Sequence, residues 1–151
     1  MKTIRILLLA LIAVLALIQL IPVARENPPV TADIQAPANV KELLERSCYD
    51  CHSNETAWPW YSKVAPVSWL VSRDVDRGRG NLNFSEWETL PADKKKRLAG
   101  EIWDEVAEGE MPLNIYVSMH PQAELSAVEK EAIRQWTSEM QKPRPAIDSL
   151  T

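Results

Sequence analysis

Asn39-Val40-Lys41-Glu42-Leu43-Leu44-Glu45-Arg46-Ser47-Cys48-Tyr49-Asp50-Cys51-His52 is the stretch around which the chain is organised. Its last five residues have the C-x-x-C-H spacing of a c-type haem attachment site. The spacing has a chemical reason. Two thiols within one helical turn can each form a thioether to one of the two vinyl groups on the same porphyrin edge. The next residue, His52, then lies against the macrocycle face and can offer a ring nitrogen to the iron. A flexible chain could not hold that geometry, so a helix is expected to lead in from about Asn39, itself a fitting N-cap. Val40, Leu43, Leu44 and Ser47 fall on one face of that helix, and Cys48 and Cys51 continue it at spacings of four and three.

Two other uses of a C-x-x-C pair compete with haem. A zinc site needs two more good ligands, and beyond this motif the chain has no cysteine and one histidine, His120. A thioredoxin-like dithiol sits beside a βαβ pattern, and nothing here alternates in that way. Haem is the reading carried forward.

Towards the N-terminus, Lys2 and Arg5 precede an apolar run over residues 6–24, interrupted by Gln19 and Pro22. As a helix the run would rise about 28 Å, close to the ~30 Å hydrocarbon core of a bilayer. A cleaved signal peptide has a shorter apolar core and an A-x-A-like cut site, which Pro22 and Ala24 match poorly. Residues 1–24 are therefore expected to be a signal anchor, a single transmembrane helix in the bacterial cytoplasmic membrane. Its basic end would stay inside and the rest of the chain would lie on the periplasmic side. Residues 25–37, with Pro28, Pro29 and Pro37, read as an extended tether. Residues 38–142 form the expected haem-binding domain, and residues 143–151 a flexible tail.

Export agrees with the cysteines, since both lie in one motif and none is left for a structural disulfide. The haem link would replace that staple. Taking Lys2 and Arg5 from 17 basic residues leaves 15 against 21 acidic, a net charge of −6 beyond the apolar run. That balance argues against nucleic acid or anionic lipid as a partner and suits a basic patch on a redox partner.

Downstream, Trp58, Trp60, Tyr61 and Trp69 crowd residues 53–69. They could wall a planar cofactor or form an ordinary core. Residues 66–76 suit a short helix, with Pro66 near its start and Gly78 after its end. Arg77 and Arg79 follow, and a guanidinium can meet a haem propionate in bidentate fashion; Arg79 and Trp69 are carried forward as cofactor-binding candidates. Ser85 and Glu88 have capping-box spacing. Pro91 opens a longer helix with Leu98, Ile102, Trp103 and Val106 on one face and residues 94–97 in solvent, stopped by Gly109. In Gly109-Glu110-Met111-Pro112, a methionine held by proline can bring a thioether to the second iron face, and Met with His is the axial pair that raises potential in cytochromes c. His52 and Met111 are thus the expected metal ligands, with Met119 and His120 as rivals for the second position. A further capping box, Ser126 with Glu129, opens a helix whose stripe is Val128, Ala132, Ile133, Trp136 and Met140.

With these features placed, the chain resembles the bacterial haem-binding domain family, small membrane-anchored proteins related to class I cytochromes c. The resemblance covers residues 19–136. It rests on Gln19, Ile21 and Pro22 with Asn27-Pro28; on Cys48, Cys51 and His52 with Ser53-Asn54; and on Trp58-Pro59-Trp60-Tyr61. It continues through Ala65-Pro66-Val67-Ser68-Trp69, Gly78-Arg79, Asn83-Phe84-Ser85-Glu86-Trp87, Met111-Pro112, Tyr116 and His120-Pro121. The resemblance implies covalent haem on Cys48 and Cys51, His52 as proximal ligand and an exported location. Many members carry histidine where this chain has Asp74; if that histidine holds a metal in them, this chain lacks it, which leaves Met111 the better second ligand.

The expectation is therefore an all-α, cytochrome c-like helical domain after an N-terminal transmembrane helix. It would hold one covalent haem c and transfer single electrons to an unidentified redox partner. No catalytic acid, base or nucleophile stands out. The rival readings are a haem-based sensor or gas-binding module, a small haem peroxidase with a labile sixth ligand, and a haem-free thiol–disulfide oxidoreductase.

Overall fold

Apolar residues at helical spacing build three helices that share one core in the computed structural model, which describes residues 1–142. They are α2 (Ala38–Ser47), α5 (Ala92–Glu108) and α7 (Ala127–Gln141). α2 buries Val40, Leu43, Leu44 and Ser47; α5 buries Leu98, Ala99, Ile102 and Val106; α7 buries Ile133, Trp136 and Thr137. Ile34, Tyr49, Phe84, Trp87 and Leu125 complete this core. Each large apolar side chain so buried contributes about 1.5–3 kcal/mol relative to exposure. Met140 and Ala132 pack against the core edge. Val128 shares their spacing but lies in the first turn of α7, where residues 126–128 are all exposed.

The helix ends follow local chemistry. The Ser126 hydroxyl accepts the Glu129 N–H while the Glu129 carboxylate accepts the Ser126 N–H, a complete capping box. Gly109 closes α5 at φ +79°, a left-handed conformation that a Cβ would strain. The Ser85–Glu88 box does not form. Asn83 is the cap instead, its side chain accepting the Ser85 N–H at 3.1 Å at the start of a 3-10 turn, Phe84–Thr89. α2 begins one residue before Asn39, after Pro37.

Around the cysteine motif lie α3 (Tyr49–His52), α4 (Val67–Asn81), α6 (Asn114–Met119) and the 3-10 turns Trp60–Lys63 and Pro121–Ala123. A break at Cys48 (φ −128°) separates α2 from α3. α4 runs past Asp76, its expected last residue, through Gly78 and Gly80 to Asn81. Gly78 does not end the helix, because it serves a close approach described below. The described residues contain helices and turns and no strand, so their fold is all-helical.

The N-terminal segment departs from expectation. α1 (Lys2–Ile18) has 17 residues, none of them buried, and rises about 26 Å. Among the described residues no helix is long and apolar enough to cross a membrane, which overturns the transmembrane anchor expected over residues 1–24 and the membrane as a partner through it. The physical reason lies at Gln19. Its side-chain amide donates to the Ala65 carbonyl at 3.1 Å and accepts the Ala65 N–H at 2.9 Å, and the chain leaves the helix there. From this point the segment lies extended along the helical body. The Ala24 carbonyl accepts from Ser72, Arg25 donates to the Ser62 carbonyl, and the Pro29 carbonyl accepts from Asn54. The Ala32 and Ile34 N–H groups donate to the Ser85 and Phe84 carbonyls, both at 3.0 Å. The expected tail over residues 143–151 lies outside the described residues.

Candidate functional site

α2 carries its buried stripe directly into the cysteines. After the break, the His52 N–H donates to the Cys48 carbonyl at 2.9 Å, closing the single turn of α3. Both thiols are free and half-buried. Burial pushes Cys48 up to about 12, with Cys51 adding to the rise. Cys51 is raised to about 11, mainly by burial and then by Asp50 and Asp74, against the pull of Arg79. Both groups are thiols at neutral pH, unlike a reactive redox dithiol, whose attacking cysteine is shifted towards thiolate.

His52 is held in one orientation. Its Nδ1 lies 3.0 Å from the Gly78 carbonyl oxygen and 3.1 Å from that of Leu82. A carbonyl can only accept, so Nδ1 carries the proton and Nε2 keeps its lone pair. Burial lowers the imidazole's pKa, opposed by these two bonds and by the Glu105 carboxylate, so the ring is neutral at pH 7. The Phe84 ring lies 6.4 Å from the His52 ring in edge contact and stacks on Tyr49 at 5.4 Å.

Gly78 makes this possible. A Cβ there would overlap the Cys51 carbonyl oxygen and lie 3.0 Å from its carbon and 3.2 Å from the Cys51 Cβ. Only glycine lets α4 approach the motif closely enough for its own carbonyl to reach His52.

The other expected residues stand differently. Arg79 donates through Nε to the Ser53 carbonyl (2.7 Å) and through Nη1 to that of Glu26 (2.8 Å). Its Nη2 donates to Asn27 Oδ1 (2.9 Å) and to Thr56 Oγ1 (2.8 Å). Four of the five guanidinium donors are thus engaged by the protein, and the residue ties the N-terminal segment to the loop after the motif. Trp69 lines a groove of about 560 Å³ with Pro22, Val23, Ala24, Arg73 and Arg77, and no residue of the cysteine motif borders it. The structure brings Cys48, Cys51 and His52 together and places Arg79 behind them as a clamp.

Met111 follows the left-handed turn at Gly109, half-buried, its N–H donating to the Glu105 carbonyl at 3.1 Å. The Glu105 carboxylate is also the smallest of the influences on the His52 ring. Met119 is exposed. The His120 ring stacks on Tyr116 at 4.3 Å, with the Tyr61 ring 6.0 Å away. Tyr116 donates its hydroxyl to the Asp50 carboxylate at 2.7 Å, and burial together with this bond pushes its phenol pKa up. Asp50 also accepts the Ala57 N–H at 2.8 Å. Sequence reasoning missed Gly78, Leu82, Asp50 and Tyr116 as parts of the site. Asp50 was within sight, being one of the two residues between the cysteines.

A family model described as a haem-binding domain matches residues 13–139. No curated protein and no solved structure matches the chain. The residues present suit such a group. A neutral imidazole, fixed by its protonated nitrogen, leaves the other free for iron, the arrangement typical of metal-bound histidines. Two unbridged thiols precede it on the same turn of chain, and the Phe84 ring meets the imidazole edge-on.

Proposed function

This chain belongs to the haem-binding domain family, and we propose that it is a cytochrome c-like electron carrier with one haem held covalently by Cys48 and Cys51. His52 would bind the iron through Nε2, with the Met111 thioether as the second protein ligand. Bound there, the haem supplies a one-electron iron couple. The observation that carries this reading is the pair of carbonyl bonds to His52 Nδ1, which fix both the tautomer and the ring orientation.

A neutral imidazole and a thioether neither gain nor lose a proton as the charge at the site changes, which keeps reorganisation small. Phe84 and Tyr49, both nearly fully buried, exclude water from the His52 side. The raised thiols of Cys48 and Cys51 weigh against the haem-free dithiol enzyme. Lys2 and Arg5 ahead of an apolar stretch have the order of an export signal, so we place the haem-bearing part on the extracytoplasmic side. A second reading, a haem-based gas sensor or small peroxidase with a labile sixth ligand, draws support from α6, which buries none of its residues.

The test is an absorption spectrum of the full chain matured with haem, reduced with and without carbon monoxide, then denatured and extracted with acid acetone. The carrier reading expects haem that stays with the polypeptide and a reduced spectrum unmoved by carbon monoxide. A prompt shift would hand the site to the sensor or peroxidase reading. Haem that extracts freely would sink covalent attachment.

A further inference from the structure

Every α-helix of the haem-binding body except α6 buries at least one residue, and α6 stands between all three candidates for the second axial position: Met111 before it, Met119 at its end and His120 just after. Ile115 and Met119 both face solvent. Only Tyr116 and Val117 of α6 are even half-buried, so polar contacts carry much of the helix's placement. The strongest runs to the attachment motif itself, from the Tyr116 hydroxyl to Asp50 Oδ2 at 2.7 Å, across 66 residues of sequence. It is the short, charge-assisted kind of hydrogen bond. Asp50 cannot swing away, because its other carboxylate oxygen holds the Ala57 N–H and its carbonyl accepts the Thr56 hydroxyl at 2.8 Å. The His120 ring then covers Tyr116, its Nδ1 lying 3.2 Å from the Tyr116 carbonyl oxygen, and stands beside Tyr61 on the neighbouring 3-10 turn.

We propose that Asp50 and Tyr116 form a latch that pins the 109–121 loop to the cysteine motif and so keeps the iron's second face covered by a protein ligand. Both are positioning residues; neither touches the iron. The proposal rests on the reading of Met111, carried by that loop, as the sixth ligand. It gives a definite role to Asp50, at one of the two unspecified places in C-x-x-C-H. The residue between the attachment points also holds the loop bearing the opposite ligand. With the latch open, the carrier becomes a five-coordinate, ligand-binding protein.

The test uses the full haem-loaded chain in three forms: unaltered, Tyr116→Phe and Asp50→Asn. Tyr116→Phe removes one oxygen and keeps the ring against His120, and Asp50→Asn keeps an acceptor for Ala57 while removing the charge. Carbon monoxide binding to the reduced protein is followed by stopped flow, and backbone hydrogen exchange over residues 113–120 by mass spectrometry. The latch predicts an unreactive parent and carbon monoxide association faster by about tenfold or more in Tyr116→Phe, with Asp50→Asn moving the same way. It also predicts faster exchange over residues 113–120 with α5 and α7 unchanged, a pattern that a general loss of stability would not give. A parent protein and two variants that all ignore carbon monoxide would overturn the latch and leave the carrier reading standing. A parent that binds carbon monoxide promptly would overturn both.

Discussion

On the side built by α2, α5 and α7, the residues turned inward are almost all apolar: Val40, Leu43, Leu44, Leu98, Ile102, Val106, Ile133 and Trp136 share one cluster. On the side that carries Cys51 and His52, α4 turns Ser68, Ser72, Val75 and Gly78 inward, and α6 fully buries none of its residues. There the joining is done by side chains bonded to distant backbone: Gln19 to Ala65, Arg79 to Ser53 and Glu26, Asn54 to Pro29, His52 to Gly78 and Leu82. Apolar burial is strong and non-directional, so it fixes that two helices meet without fixing any ring's angle. A net hydrogen bond contributes only about 0.5–1.5 kcal/mol, but it prescribes distance and direction. The molecule places its stability on one side and its geometry on the other.

The sharpest break of that division is in the core. Leu44 is wholly buried, midway along the helix that delivers the cysteines. Leu44→Ala should cost about 2–5 kcal/mol in denaturant unfolding, from lost transfer energy and the cavity left behind. In the protein that remains folded, the haem spectrum should keep its parent positions, because His52 takes its orientation from α4. A cost below about 1 kcal/mol would mean that the α2–α5–α7 side is not where the stability resides.

A smaller loss of stability with a larger disturbance of the site is expected from Gly78→Ala. The new Cβ would overlap the Cys51 carbonyl oxygen, which is backbone and cannot rotate aside. Overpacking of this kind costs about 1–3 kcal/mol, partly offset by the ~1 kcal/mol that alanine gains over glycine within a helix. Any relief moves the carbonyl that receives the His52 proton, so the reduction potential and the spectrum should shift. Gly80 is the control. It has nothing within 4 Å of a built Cβ, so Gly80→Ala should leave the spectrum alone and raise stability by up to about 1 kcal/mol. Equal effects at the two glycines would erase the distinction between a helix residue and an approach point.

The same division explains what the chain reveals before it is folded. α2, α5 and α7 announce themselves through apolar spacing, and Ser126 with Glu129 through capping chemistry, because both signals are local in sequence. Cys48, Cys51 and His52 are legible for the same reason. The acceptors of the His52 proton are backbone carbonyls of Gly78 and Leu82, and a backbone acceptor leaves no mark on residue type. Gly78 is visible, but glycine marks helix ends as well as close approaches, and local sequence does not separate the two. Arg79 has the charge to bind a propionate; its four protein partners come from segments 23 to 53 residues away. The apolar run to residue 24 overstates the N-terminal helix because hydropathy does not register that Gln19 finds its partner at Ala65.

The smallest effect sharpens the comparison from the stable side, where one polar cluster does join two helices. Arg46 on α2 pairs with Glu129 on α7 at 2.7 Å. The Arg46 guanidinium, followed by the Ser126 N–H and hydroxyl, holds the Glu129 carboxyl down at about 2, against an ordinary value of 4.5. The folded state therefore binds this proton less readily than the unfolded chain. The resulting stability is fully present above about pH 4.5 and is lost as the pH falls towards 2. Because the pair is partly exposed and screened, its worth should stay under about 1 kcal/mol. Glu129→Gln keeps an acceptor for the Ser126 N–H and removes the charge, so it isolates the charge contribution. In parallel unfolding curves the parent should be slightly more stable than Glu129→Gln at pH 6, with the gap closing by pH 2. A gap that stays open at pH 2 would assign the benefit to hydrogen-bond geometry instead of charge, and geometry would then matter on both sides of the molecule.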